Sequence, residues 1–381
     1  MGSTERLACA RDGATVAVWD VGVRLFHAAL ALCVAVAGWI GFFGPANALN
    51  LHLAAGVAAG ALVFCRFVWG FFGPTYARFA SFVLSPEQVL ARAREILNGR
   101  RTRYLGHNPL GGAMVAALLA AIFAMLLTGT VALGGVDKQG PLAFATPYAV
   151  GKLFRRAHEW LAYTLLILIV VHLVGVAFET LIGREKLVAA MATGRKPAHP
   201  ETVAFAERGA RPWAALAIIG CGLALAAIAA ARLAARPALG VPTEPIDPTY
   251  ARECGSCHMA FPPSLAPRAR WRAIVAGLAD HFGEDASLDA PTSARILAYL
   301  DAHAAETADT RAANELRRPG RDEPLRLTAA PYWRRVHAGI AEPIFKLKAV
   351  GARSACDACH RDAAGGRFDP QSIAIPETGG P

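Results

Sequence analysis

Residues 158–172 form an apolar stretch that begins and ends with a histidine, and no other part of the sequence constrains the fold as much. In a helix with a rise of about 1.5 Å per residue, His158 and His172 lie roughly 21 Å apart along the axis. Fourteen residues at about 100° each fall roughly 40° short of four turns, so both imidazoles point to nearly the same side. Ionisable side chains in membrane helices are costly and tend to mark function. The stretch indicates a membrane helix with one ligand near each surface; a pair of buried, hydrogen-bonded histidines is the alternative.

Five apolar segments of the 381-residue chain are long enough to cross a membrane, which takes about 20 helical residues. We predict membrane helices at residues 26–43, 51–72, 110–133, 158–182 and 213–233. Lys and Arg are concentrated on one side, because 15 lie in the N-terminal segment and the second and fourth connections, against four in the third connection. This distribution predicts a cytoplasmic N-terminus and a fifth helix that ends outside.

The positive charge of the chain belongs to its apolar half. Residues 1–240 hold 22 Lys and Arg against 11 Asp and Glu, whereas residues 241–381 hold 17 against 18. There is no basic stripe with interleaved aromatic residues, so the sequence predicts a lipid bilayer as partner and no nucleic acid.

Two further histidines match the depths of the first two. With the N-terminus inside, His27 lies at the inner end of the first helix and His52 at the outer start of the second. The fourth helix runs inwards, so His158 is outer and His172 inner. Four histidines at two matching depths, His27 with His172 and His52 with His158, suit two six-coordinate haems in a four-helix bundle.

The C-terminal part contains two Cys-x-x-Cys-His motifs, Cys254-Gly-Ser-Cys257-His258 and Cys356-Asp-Ala-Cys359-His360. In such a motif two thiols bond a haem and the histidine takes one axial position; two disulfides or a zinc site are the alternatives. The other axial ligand is open among Met259, His281, His303 and His337. Met259 adjoins the proximal histidine and cannot reach the far face, and His303 lies near a helix end. We predict helices at 269–281, 292–305 and 332–341, with much loop.

The N-terminal part resembles prokaryotic cytochromes b of the b561 type, which include the b-type subunit of nickel–iron hydrogenases. The resemblance covers about residues 15–190 and rests on Trp19-Asp20, Arg24-Leu-Phe-His27, the run from His52 to Gly56, the run from Arg66 to Pro74, Gly106-His-Asn-Pro109 and the 158–172 helix. It implies two haems b, with all four ligand histidines present, and electron exchange with membrane quinone. Arg66 either pairs with a haem propionate or reaches the membrane interface.

The C-terminal part resembles the small di-haem cytochromes c of proteobacteria. The resemblance rests on the run from Cys254 to Pro263, Trp271, the run from His281 to Asp289, the run from Thr328 to His337, and the run from Cys359 to Asp369. It implies two covalently attached haems c with two histidine ligands each, matching His281 and His337, and exchange with a partner haem protein. Sequence order favours His281 for the first haem, and the pairing stays open.

These observations predict an all-α protein. It comprises a four-helix membrane di-haem cytochrome b domain (1–190), a cytoplasmic connection and fifth transmembrane tether helix (191–236), a Pro-rich linker (237–248) and a periplasmic, mostly α di-haem cytochrome c domain (249–381). The predicted location is a bacterial inner membrane.

The predicted function is tetra-haem electron transfer from membrane quinol, through two b haems and two c haems, to a periplasmic haem protein. Whether this makes the chain a quinol:cytochrome c oxidoreductase is left open, as is a homodimer. Two alternatives remain: a membrane-anchor subunit of a dehydrogenase or hydrogenase, and a c-haem peroxidase or small-ligand reductase with an open iron position.

Overall fold

The computed structural model describes residues 4–6, 15–82, 85–99, 102–197, 203–205, 207–317 and 325–376. The chain forms two compact units, one from residues 1–129 with 156–229 and the other from residues 130–155 with 230–381. Nearly all regular structure in the described part is helical, which confirms the predicted all-α class.

The long apolar helices lie mostly in the first unit, where short helices join them. The helices are α1 Val21–Phe43, α2 Leu49–Phe72, α3 Pro86–Leu97, α4 Pro109–Ala132, α5 Tyr148–Leu181, α6 Leu187–Thr193 and α7 Pro212–Ala234. Five of them (α1, α2, α4, α5 and α7) are long and apolar enough to cross a membrane. The five predicted segments are therefore confirmed, and the protein is a membrane protein.

Helix α5 differs most from its predicted bounds, because it begins ten residues before His158. The prediction followed hydropathy and stopped at the charged residues Lys152, Arg155 and Arg156. Charged residues with long side chains are good helix formers, so the helix continues through them to Tyr148.

Four helices share a core in the middle of their lengths. Its buried residues are Ala59 of α2, Ala121 and Ile122 of α4, and Leu165 of α5; Leu30 and Val34 of α1 pack against them. Leu165 lies midway between His158 and His172, so the core separates the two histidine levels. This is the four-helix arrangement that the sequence predicts.

Local contacts fix the start of α1 and its position against α2. Asp20 caps α1 by accepting a hydrogen bond from the Val23 N–H at 3.1 Å, and its other oxygen accepts one from the Trp69 indole at 3.3 Å. Such a cap is worth about 1 kcal/mol. Strand β1 (Thr4–Arg6) pairs antiparallel with β4 (Val203–Phe205), and β2 (Thr15–Ala17) pairs in the same way with β3 (Arg195–Pro197).

The fifth membrane helix packs against α2. A Cβ on Gly222 of α7 would lie 2.5 Å from Phe64 of α2, so glycine permits the close approach. Near the start of α7, the Arg211 N–H donates to the Phe72 carbonyl at 2.8 Å.

The rest of the chain folds into short helices and loops. The helices are α8 Pro248–Cys254, α9 Arg268–Ala276, α10 Ala290–His303, α11 Arg311–Leu316, α12 Pro331–Val336 and α13 Glu342–Phe345. Helix α9 ends at Ala276 and not at the predicted residue 281, because its C-cap Gly277 is a poor helix former; His281 therefore lies beyond the helix. Helix α12 likewise ends at Val336, five residues before the predicted end, and His337 caps it.

Two small cores organise this part. The first contains Tyr250, Trp271, Ile296 and Leu300, with Cys254 packed against it. The second contains Leu265, Ala312, Leu316 and Ala330, with Tyr332, Trp333 and Phe368 packed against it. Each core therefore adjoins residues next to one of the two Cys-x-x-Cys-His motifs.

Candidate functional site

The structure brings eight histidines together as four facing pairs. Two pairs lie in the membrane bundle and two among the short helices, and the distance between ring centres is 6.0–6.5 Å in every pair. The pairs and distances are His27–His172 at 6.5 Å, His52–His158 at 6.2 Å, His258–His281 at 6.3 Å and His337–His360 at 6.0 Å.

This separation is the one expected for two imidazoles on opposite sides of one metal ion. A metal–nitrogen bond of about 2 Å on each side, and about 1.1 Å from each nitrogen to its ring centre, put the centres about 6.2 Å apart. Two axial ligands leave four equatorial positions, the number that a porphyrin supplies. The pairs therefore fit a haem.

Hydrogen bonds orient the outer membrane pair. The Nδ1–H of His52 donates to the Ala37 carbonyl at 2.9 Å, and that of His158 donates to the Met125 carbonyl at 3.1 Å. The Thr128 hydroxyl lies 3.2 Å from the same His158 nitrogen. A carbonyl can only accept, so Nδ1 carries the proton and Nε2 is left with its lone pair for a metal.

Two histidines of the C-terminal pairs show the same arrangement. The Nδ1–H of His258 donates to the Met259 carbonyl at 2.8 Å, and that of His337 donates to the Trp333 carbonyl at 2.9 Å. The Trp333 ring also stacks on His337 with centres 4.2 Å apart. Burial lowers the pKa of His337 and of His360, which favours the neutral, metal-binding form.

No disulfide joins the four motif cysteines in the structure: Cys254, Cys257, Cys356 and Cys359. Burial raises the pKa of Cys254 and of Cys356 to about 11. Burial therefore disfavours the thiolate form that redox-active cysteine pairs use.

His303 has both ring nitrogens engaged. Nδ1–H donates to the Tyr299 carbonyl at 2.9 Å, and Nε2 lies 3.0 Å from the Glu244 carboxylate. Neither nitrogen is available to a metal, so His303 is the candidate ligand that the structure does not place in a pair.

Arg66 is buried and His107 is partly buried, and neither belongs to a histidine pair. Arg66 is 4% exposed, its guanidinium lies over the rings of Phe79 and Phe82, and its buried Nη1 has no hydrogen-bond partner among the described residues. His107 packs between Trp19 and Phe82. Burial, with the charge of Arg66 adding to it, lowers the pKa of His107 to about 3, so its ring is neutral.

The positions of two phenylalanines beside the C-terminal histidine pairs could not be predicted from the sequence. Phe282 lies 4.8 Å from His281 and Phe368 lies 5.2 Å from His360, measured between ring centres. Both have positive φ, 57° and 53° respectively, an uncommon conformation for a bulky residue that the surrounding structure must enforce. The glycine after Phe282 is the only local signal of such a turn.

Comparison with known proteins identifies both parts of the chain. Residues 18–194 match the family model of prokaryotic cytochrome b561, and residues 250–368 match that of dihaem cytochrome c. No curated protein matches the chain.

Solved structures similar to the chain are dihaem cytochromes c. The diheme cytochrome c from Rhodobacter sphaeroides is 41% identical over 95% of its own length and 32% of this chain, with a TM-score of 0.28. The diheme cytochrome type c from Shewanella baltica is 37% identical over 98% of its length and 36% of this chain, with a TM-score of 0.29. The chain is therefore a membrane electron-transfer cytochrome that joins a prokaryotic cytochrome b561 part, with haem b, to a dihaem cytochrome c part, with haem c.

Proposed function

We propose that this protein oxidises quinol in the membrane and passes the electrons to a haem protein outside it. Each quinol would yield one quinone, two released protons and two electrons, and each acceptor would take one electron. The observation that carries the proposal is the set of four histidine pairs with ring centres 6.0–6.5 Å apart. A haem held by two histidines in this way would supply the one-electron iron couple that electron transfer requires.

The four pairs account for two haems b and two haems c. In the membrane, His27 with His172 and His52 with His158 would each hold one haem b. Outside, one haem c would be bonded to Cys254 and Cys257, with His258 and His281 as axial ligands. The other would be bonded to Cys356 and Cys359, with His360 and His337 as axial ligands. Supporting this assignment, the Nδ1–H groups of four of these histidines donate to backbone carbonyls.

Arg66 is proposed to bind a carboxylate of the inner haem b. A buried guanidinium N–H without an acceptor is costly, and the Arg66 Nη1 has no hydrogen-bond partner among the described residues. The alternative, a side chain that reaches the membrane interface, requires an exposed guanidinium, whereas Arg66 is 4% exposed. A haem propionate would supply the hydrogen-bond acceptor that is missing around the Arg66 Nη1.

The proposed location is a bacterial inner membrane, with the N-terminus in the cytoplasm and the c part in the periplasm. Support comes from the excess of Lys and Arg in the N-terminal segment and in the second and fourth connections. The proposed domain limits remain 1–190, 191–236, 237–248 and 249–381.

No specific observation favours the other two functions. A c-haem peroxidase or small-ligand reductase needs an open iron position, whereas each motif histidine faces a second histidine. An anchor subunit of a dehydrogenase or hydrogenase would take its electrons from a soluble partner, for which the described part of the chain offers no separate feature.

Anaerobic stopped-flow spectroscopy of the purified full chain with a reduced quinol tests the proposal. The b and c absorption bands are followed separately, and dithionite provides the control for complete reduction. We expect the b bands to be reduced first and the c bands second. Reduction of neither by quinol, while dithionite reduces both, would contradict quinol as the electron donor.

A further inference from the structure

The connection between α4 and α5, here called the hairpin (residues 130–155), belongs to the same compact unit as the C-terminal part. Lys138 follows the helical turn Leu133–Asp137, has a φ of 55° and is 5% exposed. Its Nζ donates to the Asp309 carboxylate at 2.6 Å and to the Thr146 carbonyl at 3.1 Å. The same carboxylate oxygen accepts a hydrogen bond from the Tyr148 N–H at 2.8 Å. A buried lysine paired in this way binds the hairpin to the chain just before α11.

A first connection leads from the hairpin to His337. The Lys152 Nζ lies 2.6 Å from the Glu315 carboxylate, and the Tyr148 hydroxyl donates to the same oxygen at 2.7 Å. Glu315 also lies 3.6 Å from Arg335 of α12, and His337 caps that helix two residues later.

A second connection leads from the hairpin to His360. The Gln139 amide donates to the Asp369 carboxylate, and the Gln371 amide lies 3.4 Å from the Gln139 carbonyl oxygen. The Asp369 N–H in turn donates to Asp362 at 2.8 Å. The segment that follows Asp369 forms a bridge with His360 through Ile373. Both histidines of the second pair are thus tied to the hairpin.

The first Cys-x-x-Cys-His motif is anchored differently. Cys254 packs against the core formed by Tyr250, Trp271 and Ile296, while Ser256 and Cys257 are exposed. The described contacts of the hairpin therefore lead to the second motif and not to the first, although the first follows the linker directly in the sequence.

We propose that the hairpin is a built-in docking surface for the His337/His360 site. This makes that site the one that exchanges electrons with the membrane part, and it leaves the His258/His281 site for the soluble acceptor. The inference rests on the proposed function, and it reverses the order of the two motifs in the sequence.

A crosslink across the hairpin tests whether the docked state is the working state. Gln139→Cys and Gln371→Cys in the full chain are joined by a short bifunctional maleimide, and the yield is measured by mass spectrometry. The matched control joins Arg272→Cys to Asp301→Cys. In the unmodified protein the Arg272 guanidinium lies 2.8 Å from the Asp301 carboxylate, within the C-terminal part and away from the hairpin. We expect efficient crosslinking in both, with the rate of c-band reduction by quinol unchanged within about twofold. A crosslinked hairpin that abolishes c-band reduction would overturn the proposal, and so would failure of the hairpin pair to crosslink.

The order of the two sites is tested by freeze-quench electron paramagnetic resonance. Trp333→Phe, which changes the ring stacked on His337, identifies the signal of that site; Phe282→Leu, beside His281, identifies the other. We expect the signal sensitive to Trp333 to disappear first after quinol addition, and the reverse order overturns the inference. If quinol reduces no haem, the proposed function fails, whereas the crosslinking yield still reports on docking.

Discussion

Gly129 of α4 faces the His158 ring, and substitution by alanine should displace that ring. A Cβ at position 129 would lie 3.0 Å from Cε1 and 3.3 Å from Nδ1 of His158, whereas carbon atoms in contact prefer about 3.5–4.0 Å. The ring must therefore retreat by roughly 0.5 Å, which exceeds the tolerance of about 0.2 Å for a metal–ligand distance. Its hydrogen bond to the Met125 carbonyl opposes rotation.

The expected cost is that of a small-to-large change in a packed site, about 1–3 kcal/mol, which corresponds to a loss of about 5- to 150-fold in affinity for the outer haem b. Gly41→Ala is the matched control, because its Cβ would meet the His52 ring at an ordinary 3.4 Å. Both changes give the same gain in helix propensity, so that effect cancels. The assay is the ratio of haem b to haem c in purified full-length protein, with a redox titration of the b bands. Unchanged haem content and potentials in Gly129→Ala, or equal losses in both variants, would refute the reasoning.

Three further predictions concern the c-haem ligands, the pH dependence of His303 and the charge of Arg66. His281→Ala and His337→Ala should each convert one c haem from low to high spin, whereas His303→Ala should leave both low-spin; a high-spin signal in the last variant would contradict the assignment. The hydrogen bond to the Tyr299 carbonyl, followed by the contact with Glu244, raises the pKa of His303, so its contribution to stability is present below the unfolded value of about 6.5 and is lost as pH rises through the folded pKa. His303→Gln should therefore lower the Tm of the c part at about pH 5.5 and not at about pH 8.5; equal effects at both pH values would argue against the linkage. Arg66→Gln should lower the potential of the inner haem b, by about 60 mV if the charge is worth one factor of ten; a redox titration that shows no shift would exclude the propionate contact.

The membrane part could be predicted from the sequence because each of its constraints is local. Apolar length sets the helices, and positive charge orders their ends, so the depth of His27 and His172 follows without knowledge of packing. The start of α5 could not be predicted in the same way, since Lys152 and Arg155 end the apolar run without ending the helix. The burial of Arg66 could not be predicted either, because it depends on Phe79 and Phe82 packing over the guanidinium.

In the C-terminal part, the motifs could be predicted from local sequence, whereas the facing histidines and the hairpin contacts could not. The Cys-x-x-Cys-His motifs predict the attachment sites from sequence alone, but the position of the histidine that faces each motif histidine, His281 or His337, depends on long-range packing. The facing of His258 with His281, and of His360 with His337, agrees with sequence order, yet only the fold brings the rings together. The hairpin contacts could not be predicted, because Lys138 and Asp309 lie far apart along the chain.

If the four histidine pairs hold four haems, the purified protein must contain all four. Pyridine haemochrome analysis of the purified full chain, combined with electron paramagnetic resonance of the oxidised protein, measures haem type, number and spin state together. We expect two haems b and two haems c per chain, all low-spin. Fewer haems, or a high-spin haem in the intact protein, would show that at least one of the four pairs does not hold an iron between its two rings.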